Sequence, residues 1–279
     1  MSAIAFGDAG RSPDLLFLHA TGLNALTYRQ MLAPLGELHH VIAVDLRGHG
    51  LTQMKLRRWT YRSWNRHRDD VIELLDTHFQ GAIAFAGHSM GGTTSLLVAG
   101  KRPDLARALC LIDPVITPSA LSAVVGRRSA IARGARRRRA RFASKAEAEA
   151  ALTGRGFFKT FPPEALADYV EDGFIADGDG VRLACTPAYE AATFASQAHD
   201  PWNALARTNA PLVVLRAENG STCPDASARR IAEIRADARI ATVAGSTHAL
   251  PIERPDRARA AIESTLMMAV GQARFHDLE

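Results

Sequence analysis

Cysteine is scarce in this chain: Cys110, Cys185 and Cys223 are the three among 279 residues, and no two stand at a paired spacing. That excludes a disulfide-stapled scaffold and a cysteine-built metal site, and it fits reduced thiols in a cytoplasmic protein. No apolar run approaches the ~20 residues that a membrane-spanning helix needs. The first fourteen residues lack a basic start followed by an apolar stretch, so no secretory signal is expected. Acidic residues are missing altogether between Asp113 and Glu147, a stretch holding nine positive charges from Arg127 to Lys145. The rest of the chain therefore carries −4 of a total of +5. Aromatic residues make up only 6% and do not interleave with this run, and no nucleic-acid motif accompanies it. The arginines, concentrated at 127–141, read as the wet face of an Ala-rich helix, and no nucleic-acid partner is expected. What is present is ordinary for a globular protein: 47% hydrophobic and 23% charged residues, enough for a substantial core.

Six short apolar runs punctuate the chain: Leu15–Leu18, Val41–Val44, Ala82–Ala86, Ala108–Ile112, Leu212–Leu215 and Ile240–Val243. Each is apolar on successive residues and ends at Gly, Ala or a polar residue, as a parallel strand buried on both faces does. Helical stretches lie between them: 25–38, 61–79, 90–101, 225–235 and 257–270. The alternation predicts an α/β fold, a mostly parallel sheet flanked by helices. It breaks between about 115 and 203, which reads as a helical insertion dividing a core of residues 1–114 and 204–279. No internal repeat is present.

The chemistry concentrates at the run Ala86-Gly87-His88-Ser89-Met90-Gly91-Gly92, between a strand and a helix. This is a Gly-x-Ser-x-Gly nucleophile elbow in the context it requires. A serine in so tight a turn needs small neighbours, which Gly87 and Gly91 provide. The helix that follows aims its positive end at the hydroxyl. In this the chain resembles the α/β-hydrolase family, over nearly all of its length outside the insertion. His19-Ala20-Thr21-Gly22 is similar to the family's His-Gly oxyanion loop, and Asp45-Leu46-Arg47-Gly48-His49-Gly50 to its Asp-x-Arg-Gly-x-Gly segment. The insertion falls where the family carries a cap.

The resemblance implies a triad in the order serine, acid, histidine, with Ser89 as nucleophile. His248, beyond the last apolar run, matches the family's histidine loop. His19 and His49 read as structural, His88 as turned away from the hydroxyl, His199 and His276 as misplaced for a base. His39, His40, His67 and His78 read as surface or helix-end residues. The acid departs from the pattern, because Gly220 stands where the family has its aspartate. Two carboxylates remain: Asp113, at the end of the strand after the nucleophile helix, where some members carry the acid, and Glu218. Asp113 is preferred, since a strand end fixes position better than a loop. The oxyanion hole falls to the backbone N–H groups of Met90 and Thr21.

The implied activity is a serine hydrolase that cleaves a small or medium apolar carboxylic ester, thioester or lactone through an acyl-enzyme on Ser89. Carbon–carbon bond hydrolysis on the same fold and a non-catalytic small-molecule-binding scaffold stand as alternatives. The serine in the elbow argues against haloalkane dehalogenase and soluble epoxide hydrolase chemistry, both of which need a carboxylate nucleophile. Aromatic candidates for the cap are Phe157, Phe158, Phe161, Tyr169, Phe174, Tyr189, Phe194 and Trp202, whose abundance points to an apolar pocket. No metal-ligand cluster, P-loop or dinucleotide fingerprint is visible, so no cofactor is expected.

Overall fold

The computed structural model describes residues 1–52, 54, 61–117 and 130–276, with side chains described to residue 270. Arg127 and Arg128, and with them residues 118–129 of the expected insertion, lie outside the described residues. The strands are β1 (Ala3–Phe6), β2 (Leu15–Leu18), β3 (Val41–Val44), β4 (Ile83–His88), β5 (Ala106–Ile112), β6 (Arg141–Phe142), β7 (Phe174–Asp177), β8 (Gly180–Leu183), β9 (Leu212–Ala217) and β10 (Arg239–Val243). Seven of them form a sheet in the order β1-β3-β2-β4-β5-β9-β10. Only β1 runs antiparallel.

All six apolar runs become strands of this sheet. Buried side chains alternate between the faces: Leu15 and Phe17 join one core and Leu16 and Leu18 the other. In β4 and β5, Ala84, Ala86, Ala108 and Cys110 share the first face, while Phe85, Leu109 and Leu111 fill the second. β10 departs from the expectation. As an edge strand it leaves Arg239, Ala241 and Thr242 exposed. β1 was not anticipated, yet Ile4 and Phe6 alternate with exposed alanines, the period-two signal of a half-covered strand. The helix expected over 25–38 is broken into a 3-10 turn Leu26–Tyr28, one α-turn Arg29–Leu32 and a second 3-10 turn Ala33–Glu37. Pro34 and Gly36 lie in the last of these.

Register brings the working ends of the strands level. Leu18 stands opposite both Val44 and Gly87, His88 opposite Ile112, and Ile112 opposite Leu215. The loops that follow β2, β3, β4, β5 and β9 therefore emerge side by side at the carboxyl edge, where open α/β sheets bind ligands.

The segment between β5 and β9 is not purely helical, which corrects the sequence reading. The helices Ala130–Arg136, Lys145–Leu152, Pro163–Gly173 and Pro187–Ala195 accompany an antiparallel sheet, β6-β8-β7. The Asp177-Gly178-Asp179-Gly180 turn closes its β7–β8 hairpin, with Gly178 at φ 62°. This segment lies on the carboxyl edge. Tyr189 Oη donates to the Arg47 carbonyl at 2.7 Å, Asn24 Nδ2 to the Tyr169 carbonyl at 2.9 Å, and Trp64 Nε1 to the Thr193 carbonyl at 3.0 Å. Gly22 and Gly48 allow the approach: a Cβ on either would sit 2.5 Å from Glu190 Oε1 or the Tyr189 ring. The helix Pro201–Arg207 instead packs on the core, with Ala204 against Gly100 of Met90–Lys101.

Four of the nine charges of the basic run pair with acidic residues. Arg139 stacks on Phe142 and pairs with Glu147, Arg141 pairs with Asp177 and Lys145 with Glu171. Arg138 turns inward to Glu190 and the Tyr169 hydroxyl.

The seam between this segment and the core is lined by histidines. His67, in the first turn of the helix Asn65–His78, is buried there rather than at the surface, and His40 is buried at the opposite, amino end of β3 beside Arg11 and Asp14. His19 and His49 lie 4.9 Å apart between ring centroids, His49 meets Tyr189 edge-on, His67 Nε2 contacts Tyr61 Oη at 2.6 Å, and His199 stacks on Trp64. Burial pushes His19 and His199 down to about 4. Burial aided by the charge of His19 takes His49 to about 3, and burial aided by His49 takes His67 well below its ordinary value. These rings fold neutral, but the unfolded chain protonates them near 6.5. Their contribution is therefore intact above pH 6.5 and is lost as pH falls toward 4. Each costs about 1.4 kcal/mol at pH 5.5. Buried Asp45 and Glu190, shifted upward by burial, act in the opposite sense only in the carboxylate range. Thermal unfolding followed by circular dichroism should give a Tm lower by roughly 10 °C at pH 5.5 than at pH 7.5. A Tm indifferent to this interval would contradict the neutral cluster.

Candidate active site

The elbow is held by its glycines. A Cβ on Gly87 would lie 2.5 Å from the Gly91 carbonyl carbon, and one on Gly91 would overlap the Leu18 carbonyl. With both positions open, the chain turns directly from β4 into Met90–Lys101, and Ser89 takes φ 55°. Asp113 takes φ 42°, and these two are the only non-glycine residues with positive φ among those described. Such backbone costs roughly 1–3 kcal/mol and persists where neighbours over-determine it. Here the neighbouring strands do so: Ser89 N–H donates to the Ile112 carbonyl at 2.9 Å and Asp113 N–H to the Leu215 carbonyl at 2.7 Å.

The sequence-selected Ser89, His248 and Asp113 come together. His248 Nε2 lies 3.0 Å from Ser89 Oγ, and His248 Nδ1 lies 2.6 Å from Asp113 Oδ2. A buried carboxylate accepts only, so Nδ1 carries the proton and Nε2 presents its lone pair to the hydroxyl. Glu218 is not in this chain of contacts: its Oε2 accepts from the Gly245 N–H at 2.8 Å, at the surface.

The last residue of β9 and the loop after it, which carries Gly220, supply donors to Asp113. Ala217 N–H and Ser221 Oγ donate to Asp113 Oδ1 at 3.0 and 2.5 Å, and Thr222 N–H donates to Oδ2 at 3.1 Å. Burial pushes the Asp113 carboxyl up, but His248, Ser221 and the Ala217 N–H outweigh it and the net shift is downward. Asp113 is thus held ionised beside the imidazole. Ser221 and Thr222 were missed by the sequence reading. The signal available was a pair of hydroxyl residues directly after Gly220.

Met90 opens the helix that follows Ser89, where the first N–H groups have no intrahelical acceptor. Thr21 is beside it, with Thr21 Oγ1 contacting Met90 Sδ at 3.2 Å. Among the described residues neither backbone N–H is engaged by a hydrogen bond. His19 is structural as expected: its Nδ1 donates to the Ala20 carbonyl and its Nε2 accepts from the Leu46 N–H. His88 points away from the Ser89 hydroxyl, toward Tyr28 and the His248 carbonyl. From the overlying segment, the Phe157 ring stands 6.2 Å from the His248 ring, within a cluster with Phe158 and Phe161. Among the described residues no three His, Cys, Asp or Glu side chains converge as metal ligands would, and no helix is long and apolar enough to cross a membrane.

Comparison with known proteins agrees with this architecture. Residues 15–261 match the alpha/beta hydrolase family. A 2-(acetamidomethylene)succinate hydrolase of Mesorhizobium japonicum is 28% identical over 86% of this chain and 83% of its own. An esterase of Mycobacterium tuberculosis is 36% identical over 43% of this chain and 38% of its own. Among solved structures, E-2-(acetamidomethylene)succinate hydrolase superposes with a TM-score of 0.79 at 25% identity, covering 95% of this chain and 94% of that one.

The contact pattern separates the two candidate carboxylates by mutation. Asp113→Asn presents an amide to donors on both sides, so either the imidazole or the Ser221–Ala217 pair meets an NH₂ group. Turnover should fall by up to about 10⁴-fold. Glu218→Gln keeps an oxygen for the Gly245 N–H and should stay within a few-fold of the parent. Steady-state kinetics of the two variants checks the assignment, and the reverse ranking would move the acid to Glu218.

Proposed function

The chain belongs to the alpha/beta hydrolase family, and from that premise we propose that it cleaves a small or medium apolar carboxylic ester, thioester or lactone through an acyl-enzyme on Ser89. The observation that carries this reading is the unbroken run from Ser89 Oγ through the His248 ring to the Asp113 carboxylate, at 3.0 and 2.6 Å. The first contact has the length that proton transfer from a nucleophile requires, and the second that of a bond that orients the base and stabilises its cation.

The chemistry follows from the proton positions. Ser89 Oγ attacks the substrate carbonyl while His248 Nε2 takes its proton. The imidazolium so formed faces the ionised Asp113, which stabilises it and holds the ring in place. Negative charge on the carbonyl oxygen is met by the free N–H groups of Met90 and Thr21, each worth roughly 3 kcal/mol of barrier. The imidazolium then protonates the leaving group. Water, deprotonated by the same nitrogen, releases the acid and restores Ser89. No metal or organic cofactor enters these steps.

The described part of the insertion, residues 130–195, acts as the lid over this site. Its Phe157 beside the His248 ring, with Phe158 and Phe161 behind, supports an apolar acyl or alcohol subsite. A non-catalytic scaffold was favoured only by the missing acid at Gly220, and Asp113 removes that reason. One alternative keeps a specific support. The relative matched over most of both chains takes its name from 2-(acetamidomethylene)succinate, which favours an amide-bearing dicarboxylate. Carbon–carbon bond hydrolysis by the same three residues has no observation of comparable weight.

A panel of chromogenic esters of increasing acyl length, with 2-(acetamidomethylene)succinate as a further substrate, tests the reading. Turnover is expected on short and medium apolar esters, and Ser89→Ala should remain folded and lose nearly all of it. Ester hydrolysis undiminished in Ser89→Ala would refute the nucleophile. Turnover confined to the dicarboxylate would select the second reading.

A further inference from the structure

The groups assigned to the reaction sit in three separate loops: Thr21 after β2, Ser89 in the elbow and His248 after β10. One line of hydrogen bonds joins all three. Ala20 N–H donates to Tyr28 Oη at 3.1 Å. Tyr28 Oη lies 2.7 Å from His88 Nδ1. His88 Nε2 lies 2.7 Å from the His248 carbonyl oxygen. Each partner adjoins a working group: Ala20 precedes Thr21, His88 precedes Ser89, and the carbonyl is that of His248 itself.

The ends of the line dictate every proton within it. An amide only donates and a carbonyl only accepts. His88 must therefore carry its hydrogen on Nε2, which leaves Nδ1 to accept from the Tyr28 hydroxyl. The Tyr28 oxygen in turn accepts from Ala20. A single proton arrangement satisfies all three bonds. Neither ring changes charge in the neutral range. His88 is fully buried and pushed down to about 3, by burial first and then by the neighbouring His248. Tyr28 is equally enclosed and pushed up by burial. Phe17 packs on Tyr28 at 4.7 Å between centroids, and His248 lies 4.9 Å from His88.

We propose that Tyr28 and His88 are positioning residues, a proton-ordered strut that sets the oxyanion loop and the base loop at fixed distances from Ser89. The proposal rests on the serine-hydrolase reading. Neutrality of His88 is part of the function. During turnover His248 becomes cationic, and a neutral neighbour that donates to its carbonyl leaves Asp113 as the ionic partner. Misplacement of a reacting group by about 1 Å can cost on the order of 10²-fold, so loosening either loop should appear in kcat more than in KM.

Three variants and one spectrum test this. Tyr28→Phe removes the middle of the strut. His88→Asn ends near the Nδ1 position and loses the donor to His248. The amide of His88→Gln reaches the Nε2 position and can replace that donor. Tyr28→Phe and His88→Asn are expected to lower kcat, and the rate at which a fluorophosphonate labels Ser89, by about 10–100-fold, with KM nearly unchanged. His88→Gln should recover most of the loss. In nitrogen-15 spectra of histidine-labelled wild type, one ring should hold its proton on Nε2 without titrating from pH 5.5 to 9, and its signal should vanish in His88→Gln.

A wild type labelled by the probe, with Tyr28→Phe and His88→Asn labelled equally fast, overturns the strut alone. Equal losses in His88→Asn and His88→Gln that track only a fall in Tm would reduce it to a packing role and also overturn it. So would a His88 that is protonated on Nδ1 or titrates near neutrality, a result readable even if a variant fails to fold. A wild type that the probe does not label removes the hydrolase reading, and the strut's role with it.

Discussion

The hydrogen bond between Asp113 and His248, 2.6 Å long, is the contact on which the rest of the site depends. It fixes which imidazole nitrogen faces Ser89, and it exists only because the carboxylate is itself restrained. Asp113 sits at a strand end in left-handed backbone, fully buried, with the end of β9 and the loop after it donating from Ala217, Ser221 and Thr222. Unpaired burial of such a charge would be prohibitive. With four donors around its two oxygens, the carboxylate stays ionised and cannot rotate away.

The sheet supplies the second constraint. Ser89 and Asp113 end adjacent parallel strands, and His88 stands opposite Ile112 in register. A slip of one residue would turn both side chains to the other face. Apolar burial on both faces of β4 and β5 is what prevents it. The strained positions are thus held by the most buried part of the molecule, while His248 approaches from the loop after the exposed edge strand β10. That asymmetry gives His248 two tethers to the core, Asp113 through its ring and His88 through its carbonyl.

Much of this was legible in the sequence, because it rests on local pattern. Doubly buried strands write themselves as runs of successive apolar residues, and an elbow needs glycines at fixed offsets, so the parallel sheet and Ser89 could be read directly. Asp113 was legible as a carboxylate at a strand end within reach of His248 once Gly220 was seen to vacate the usual position. What was hidden depends on contacts distant in sequence. Ser221 and Thr222 carry no periodic signal, and their value comes from Asp113, more than a hundred residues away. His67 looks like a polar helix residue, and its burial beside His49, eighteen residues earlier in the chain, carries no local signal. The small β6-β8-β7 sheet lacks long apolar runs because its strands are short and only partly buried. His88 could be named as turned away from the hydroxyl, but its partner Tyr28 could not.

The central claim is that Ser89 becomes acylated through this arrangement. Rapid-quench mass spectrometry during turnover of a short-chain activated ester tests it directly. The account predicts one acyl group per chain, mapped to the peptide containing Ser89, and absent from Ser89→Ala. Turnover with no covalent adduct, or an adduct on any other residue, would contradict it.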